Sequence, residues 1–167
     1  PYVISQDFGG SKYNLFRVHS LDDGAIGNKK VKISIENIQK STADTNKFGN
    51  FDLIVRDYYD SDNEKVILEQ YRGLSLDPGS DRFVARVIGD QNTFYDFDKN
   101  AGSQKIVVDG DHPVQSNLIR IEQSTALKNG VIPNDSLPMG MRGPNHLVTS
   151  GSDPLTDVGF ASGSTWG

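Results

Sequence analysis

The sequence predicts an α+β domain: an antiparallel β-sandwich or barrel-like sheet with one or two short flanking helices. Three observations lead there. Several short runs alternate apolar and polar residues with a period of two, which marks half-buried strands. Clusters of Asp, Asn, Gly and Ser separate these runs and read as turns. One stretch alone, residues 74–90, joins helix-start chemistry, a helical apolar face and a stop.

Residues 1–12 hold an apolar start (Tyr2, Val3, Ile4) followed by Gly9-Gly10-Ser11, and are expected to be an N-terminal extension of a larger parent chain. The sequence begins at Pro1 with neither Met nor a signal-peptide pattern, which fits a fragment or a processed piece. Residues 13–19 alternate as a strand with Leu15 out of step. Asp22, Asp23 and Gly24 make a turn. In residues 31–38, Val31, Ile33 and Ile35 lie on one face, with Lys32, Ser34 and Glu36 on the solvent face. Residues 39–50 are a long polar loop. Residues 51–59 and 65–71 are two strands of a hairpin, joined by the acidic turn Asp60-Ser61-Asp62-Asn63-Glu64.

The helix follows. Asp77 is a candidate cap with Pro78 in the first turn, where a missing N–H costs nothing, and Ser80 followed by Asp81 is a second possible start. Phe83, Val84, Val87 and Ile88 give one apolar face, and Gly89 is a candidate left-handed stop, so about three turns are expected. Strands are expected at 92–97, 104–109 and 117–123, and one helical turn at 124–129 stopped by Gly130. The β-rich domain thus covers 13–132. Residues 133–167, punctuated by Pro133, Pro138, Pro144 and Pro154 and rich in Gly and Ser toward the end, read as an extended arm or linker that needs a neighbour.

Composition narrows the function classes. The chain has 167 residues, a net charge of −5 and no cysteine, and a mean hydropathy of −0.48. Disulfides and thiolate metal sites are excluded. No apolar run approaches the roughly 20 residues of a membrane helix, so no membrane insertion is expected. A basic stripe of the kind nucleic acid attracts is missing, since Lys29-Lys30-Val31-Lys32 stands alone against an acidic total; no nucleic-acid partner is expected. His19, His112 and His146 lie far apart with no zinc-ligand spacing, and there is no nucleophile elbow and no phosphate-binding loop. The cluster Asp57, Asp60, Asp62, Asn63, Glu64 fails the calcium-loop order, because Glu64 takes the third ligand position and Lys65 the glycine position; a solvated hairpin turn is the reading. No catalytic residue, metal or cofactor is therefore assigned, and the chain is not read as an enzyme. Arg82 and Arg86 are expected one turn apart on the helix, either as solubilising charge or as an ion-pairing ridge at a subunit contact.

The run Leu76-Asp77-Pro78-Gly79-Ser80-Asp81-Arg82-Phe83-Val84-Ala85-Arg86-Val87-Ile88-Gly89-Asp90 resembles a motif of the tail sheath proteins of contractile-tailed (myovirus) bacteriophages, in which Leu-Asp-Pro precedes a short helix ending Ile-Gly-Asp. Asp81 stands where that family usually has a second proline, and Gly79 where Asn is common. The flanks agree in order: Leu15 to Gly24, Lys32 to Ile35, Phe48 to Arg56, Ser116 to Glu122, and Gly130 to Gly143. The agreement is co-linear over about residues 13–144 and stops there.

The resemblance implies a middle, outward-lying domain of a structural subunit that polymerises as a helical sheath around a tail tube. The sheath then contracts to drive the tube through the host envelope. It implies other sheath subunits as partners, the tube and baseplate through the parent protein, assembly in the host cytoplasm and residence in the virion. Candidate subunit contacts on that reading are Lys47 in the 39–50 loop, Asp60, Asp62 and Glu64 in the acidic turn, and Arg82 and Arg86. Rival readings are a carbohydrate-binding or host-adhesion β-sandwich with Tyr58, Tyr59 and Tyr95 as an aromatic platform, a hydrolase with convergent carboxylates, and the sheath of a bacterial contractile injection system.

Overall fold

The structure, a computed structural model, describes residues 2–7, 9–22, 29–43 and 47–144. Within them lie eight strands and two short helices, and every strand pair is antiparallel. The strands are β1 (Tyr2–Ile4), β2 (Asn14–Ser20), β3 (Val31–Gln39), β4 (Asn50–Asp57), β5 (Ile67–Leu74), β6 (Asn92–Tyr95), β7 (Ile106–Asp109) and β8 (Ile119–Gln123). The helices are α1 (Val84–Ile88) and α2 (Thr125–Lys128). The α+β, sandwich-like expectation is met.

Two three-stranded sheets, ordered β1-β2-β8 and β3-β4-β5, share one apolar core. Period-two alternation explains which residues meet: Phe16, Val18, Ile119 and Ile121 enter from the first sheet, and Ile33, Ile35, Leu53 and Val55 from the second. Phe16 and Phe51 stack across the gap with ring centroids 6.3 Å apart. Leu15, out of step in the sequence, is fully buried beside Phe16. The helical turn expected at 124–129 forms as α2, and Ser124 caps it, with its Oγ accepting from the Leu127 N–H.

Residues 74–90 differ from expectation. The helix has five residues, not three turns, and its N-cap is Phe83 rather than Asp77. Asp77 instead accepts from the Gly79 N–H at 2.9 Å and Ser80 from the Arg82 N–H at 3.1 Å, so the cap residues close successive turns. A parallel bridge between Ser75 and Phe83 clasps the two ends of these turns and delays the start of α1. Phe83, Val84 and Ile88 are core as expected, and Val87 is half-buried against it. Gly89 does end the helix with positive φ, 105°, but with ψ 140° it is not left-handed helical. The reason is contact: a Cβ there would lie 2.2 Å from Val114 Cα.

The expected boundaries also shift. Residues 1–12 are not a mere extension, because β1 pairs with β2 and Val3 is 1% exposed. Residues 133–144, read as an extended arm that needs a neighbour, find that neighbour within the same domain. Pro138 bridges Ser5, Met141 bridges Ile35, and the Gln6 N–H donates to Leu137 O. Proline breaks helices, but it does not stop its neighbours from making sheet-like bonds. The part of the expected arm after residue 144 lies outside the described residues.

Candidate functional site

The densest chemistry lies on the outer face of the β3-β4-β5 sheet. Register places Lys32 opposite Arg56, Ser34 opposite Ile54 and Glu36 opposite Asp52, all pointing away from the core. That face was expected in solvent. It is covered instead by the turn after β4 and by residues 142–144, and Lys32, Ser34, Asp52 and Arg56 are buried.

Arg56 is the centre. Its guanidinium meets Asp60 in a two-point fork, Nε to Oδ2 at 2.8 Å and Nη2 to Oδ1 at 2.7 Å. It also donates to Asp62 at 3.0 Å, to Ser34 Oγ at 3.2 Å, to Ser61 O at 2.9 Å and to Arg142 O at 3.2 Å. Lys32 Nζ lies 2.8 Å from Asp60 Oδ1 and also donates to Asp60 O and Pro144 O. Burial works against the Asp60 carboxylate, but hydrogen bonds from Arg56, Lys32 and the Val66 N–H overcome it and bring its pKa to about 2. The hydrogen bond to Asp60 likewise raises Arg56. With each guanidinium nitrogen engaged, the cluster has no open position for a reacting group. Its chemistry is cohesion.

The predicted contact residues therefore separate. Asp60 is withdrawn: its side chain is 0% exposed, so the hairpin turn is not simply solvated and Asp60 has no surface to offer a neighbour. Asp62 is half-buried, bonded to Arg56 and 3.7 Å from Arg142. Glu64 and Lys47 are exposed. Arg82 precedes α1 rather than lying on it, and donates to Arg72 O. Arg86 is on α1 and pairs with Asp81 at 3.2 Å. Thus the two arginines are exposed but do not form a ridge on one helix.

Two further junctions hold the sheets together. Glu69 on β5 accepts from Tyr71 Oη at 2.9 Å, Ser116 Oγ at 2.5 Å and the Asn117 N–H at 3.0 Å, tying β5 to the segment before β8. Burial, with Glu69 beside it, pushes the Tyr71 phenol up to about 12. Asp90 accepts from the N–H groups of Asp111 and His112 and from Gln123 Nε2, joining the end of α1 to β8 and the base of the β6-β7 ribbon.

A cleft of about 570 Å³ opens between the sheets, with Val18, Val31, Ile33 and Ile119 among its walls. Its ionic groups are paired: His19 with Glu122 at 2.5 Å, Asp22 with Lys30 at 3.0 Å, and Lys32 with Asp60. Among the described residues no group of three or more His, Asp or Glu is placed to hold a metal, and no helix is long and apolar enough to cross a membrane.

The aromatic platform suggested by the sequence does not assemble. Tyr58 and Tyr59 meet edge to face, and Tyr95 lies elsewhere on β6, beside Phe97. The Tyr95 and Phe97 rings are tilted by 58°, unlike the flat surface on which a sugar ring stacks.

Sequence reasoning missed Arg56. The available signal was a lone cation closing the apolar run Phe51, Leu53, Ile54, Val55, with an aspartate four residues later. No protein-family model, curated protein or solved structure matches the chain.

Proposed function

We propose that this domain is a structural building block of a contractile tail sheath, or of the sheath of a related injection machine, and acts in the virion by contacts between copies of its parent protein. The observation that carries the reading is the co-linear resemblance of residues 13–144. Its segments include β2, β3, β4, the Leu76 to Asp90 run, β8 and residues 130–143. All of them contribute to one shared core or to the segment sewn onto β1 and β3. Such a body suits a subunit that shifts between two lattices as a unit.

On this reading the work comes from a difference in contact free energy between an extended and a contracted lattice. A small gain per contact sums over many copies. Lys47, Glu64, Arg82 and Arg86, all exposed, are the lateral contacts proposed, and surface pairs of this kind contribute about 0.2–1 kcal/mol each. The test is electron microscopy of the full-length parent. Regular cylinders would support the proposal; well-folded particles that never form tubes would sink it.

A further inference from the structure

The β6-β7 ribbon inverts the usual arrangement of a soluble hairpin. Its register pairs Thr93 with Val108 and Tyr95 with Ile106 on one face, and Phe94 with Val107 on the other. The first face continues to Phe97, whose ring centroid lies 4.7 Å from that of Tyr95. This face is uncharged, and it points to solvent: Tyr95 is 43% exposed, Phe97 75%, Ile106 66% and Val108 54%. The opposite face mixes the charged residues Asp96, Lys105 and Asp109 with Val107 and with Phe94, itself 45% exposed. A lone two-stranded ribbon is marginal in water, and a face of this kind marks an interaction surface.

We infer that this face is the contact of a two-fold pair between copies of the chain, with the ribbons stacked in opposite directions. Three observations select a second copy. First, the face carries no charge, so the net charge of −5 does not concentrate repulsion there. Second, side-chain size falls along it, from Phe97 at the tip, through Tyr95 and Ile106, to Thr93 and Val108 at the base. Such a gradient is complementary to itself only when reversed, tip over base, and a self-complementary patch closes a two-fold pair. Third, aromatic side chains offer roughly 150–250 Å² each, so Tyr95 and Phe97 at these exposures present about 180–300 Å², and Ile106, Val108 and Thr93 extend the face to on the order of 500 Å². Two facing copies bury about 1,000 Å², the lower bound for a specific, weak interface. The pair stands independently of the sheath reading, because a closed two-fold contact does not propagate an open helical lattice.

The absence of cysteine makes the test clean. Within one copy Phe97 lies four residues beyond Thr93, the partner of Val108. That is about 13 Å along a strand, outside the roughly 7 Å reach of a disulfide. The full chain is studied at about 0.5 mM, where a marginal interface associates. Sedimentation is expected to show dimers and nothing larger. Air oxidation of a Phe97→Cys and Val108→Cys double variant is expected to give a covalent dimer at least tenfold faster than Phe97→Cys alone. A chain that stays monomeric would overturn the inference. Growth beyond dimers, or equal cross-linking by Phe97→Cys alone, would overturn it as well. None of these outcomes bears on whether the full-length parent forms cylinders.

Discussion

The outer face of the β3-β4-β5 sheet and the β6-β7 ribbon reverse the ordinary rule in opposite senses. The first buries an arginine, a lysine and an aspartate; the second turns a phenylalanine, a tyrosine, an isoleucine and a valine to water. What separates them is the source of the cover. Over Arg56 the chain supplies its own, from residues 60–62 and 142–144, and nearly every polar atom finds a partner. Over the ribbon the described residues supply none. A buried polar group is tolerable when its hydrogen bonds are complete, whereas an exposed apolar face is resolved only by association.

The contrast can be broken most severely at Arg56. Arg56→Ala leaves Asp60 buried without its fork, and unfolding in denaturant should show a loss of about 3–5 kcal/mol. If cohesion between the two partners is the whole role, the double variant Arg56→Met with Asp60→Leu should recover much of that loss, since apolar replacements can match a buried ion pair. A double variant as unstable as the single one would instead assign the stability to the bonds with Ser61 O and Arg142 O.

A smaller effect comes from pH. Asp60 is held at about 2 in the folded chain against an ordinary 3.8. A carboxylate lowered on folding stabilises fully above its unfolded value and stops doing so as pH falls through the folded one. Stability should therefore drop between about pH 4 and pH 2, by on the order of 2 kcal/mol from this group. Thermal melts across that window check it, and the Asp60→Asn variant should lack this component.

The smallest effect belongs to the ribbon. Phe97→Asp removes no buried contact, so the free energy of monomer unfolding should stay within about 0.5 kcal/mol of the unsubstituted chain. A larger loss would mean that the face is already covered within one copy.

Alternation in the sequence located β3 and β4 well, because a strand with one face on the core must place Val31, Ile33 and Ile35 together. It could not tell what covered the other side. Lys32 and Ser34 looked solvated because their cover comes from residues more than a hundred positions away. The same limit applies to β6 and β7: period two separates Tyr95 from Phe94 but does not say that both face water. At residues 77–83 the helix signal was real but local. Asp77 and Ser80 can cap a helix or close a turn, and the bridge from Ser75 to Phe83 decided for turns. Of the candidate contacts, Glu64 and Lys47 were legible as surface. Asp60 was not, because nothing near it in sequence announces Lys32.

The buried fork at Arg56 also has a mechanical consequence. Arg142 O and Pro144 O accept from Arg56 and Lys32, and Met141 exchanges two backbone hydrogen bonds with Ile35. Tension applied to the chain beyond residue 144 is thus delivered first to β3, the outer strand of its sheet, and through Arg142 O to Arg56 on the central strand β4, so side-chain bonds share the load with the backbone pair. Pulled from that point, the domain should resist through this linked set of bonds, with Asp60, which holds both Lys32 and Arg56, as its pin.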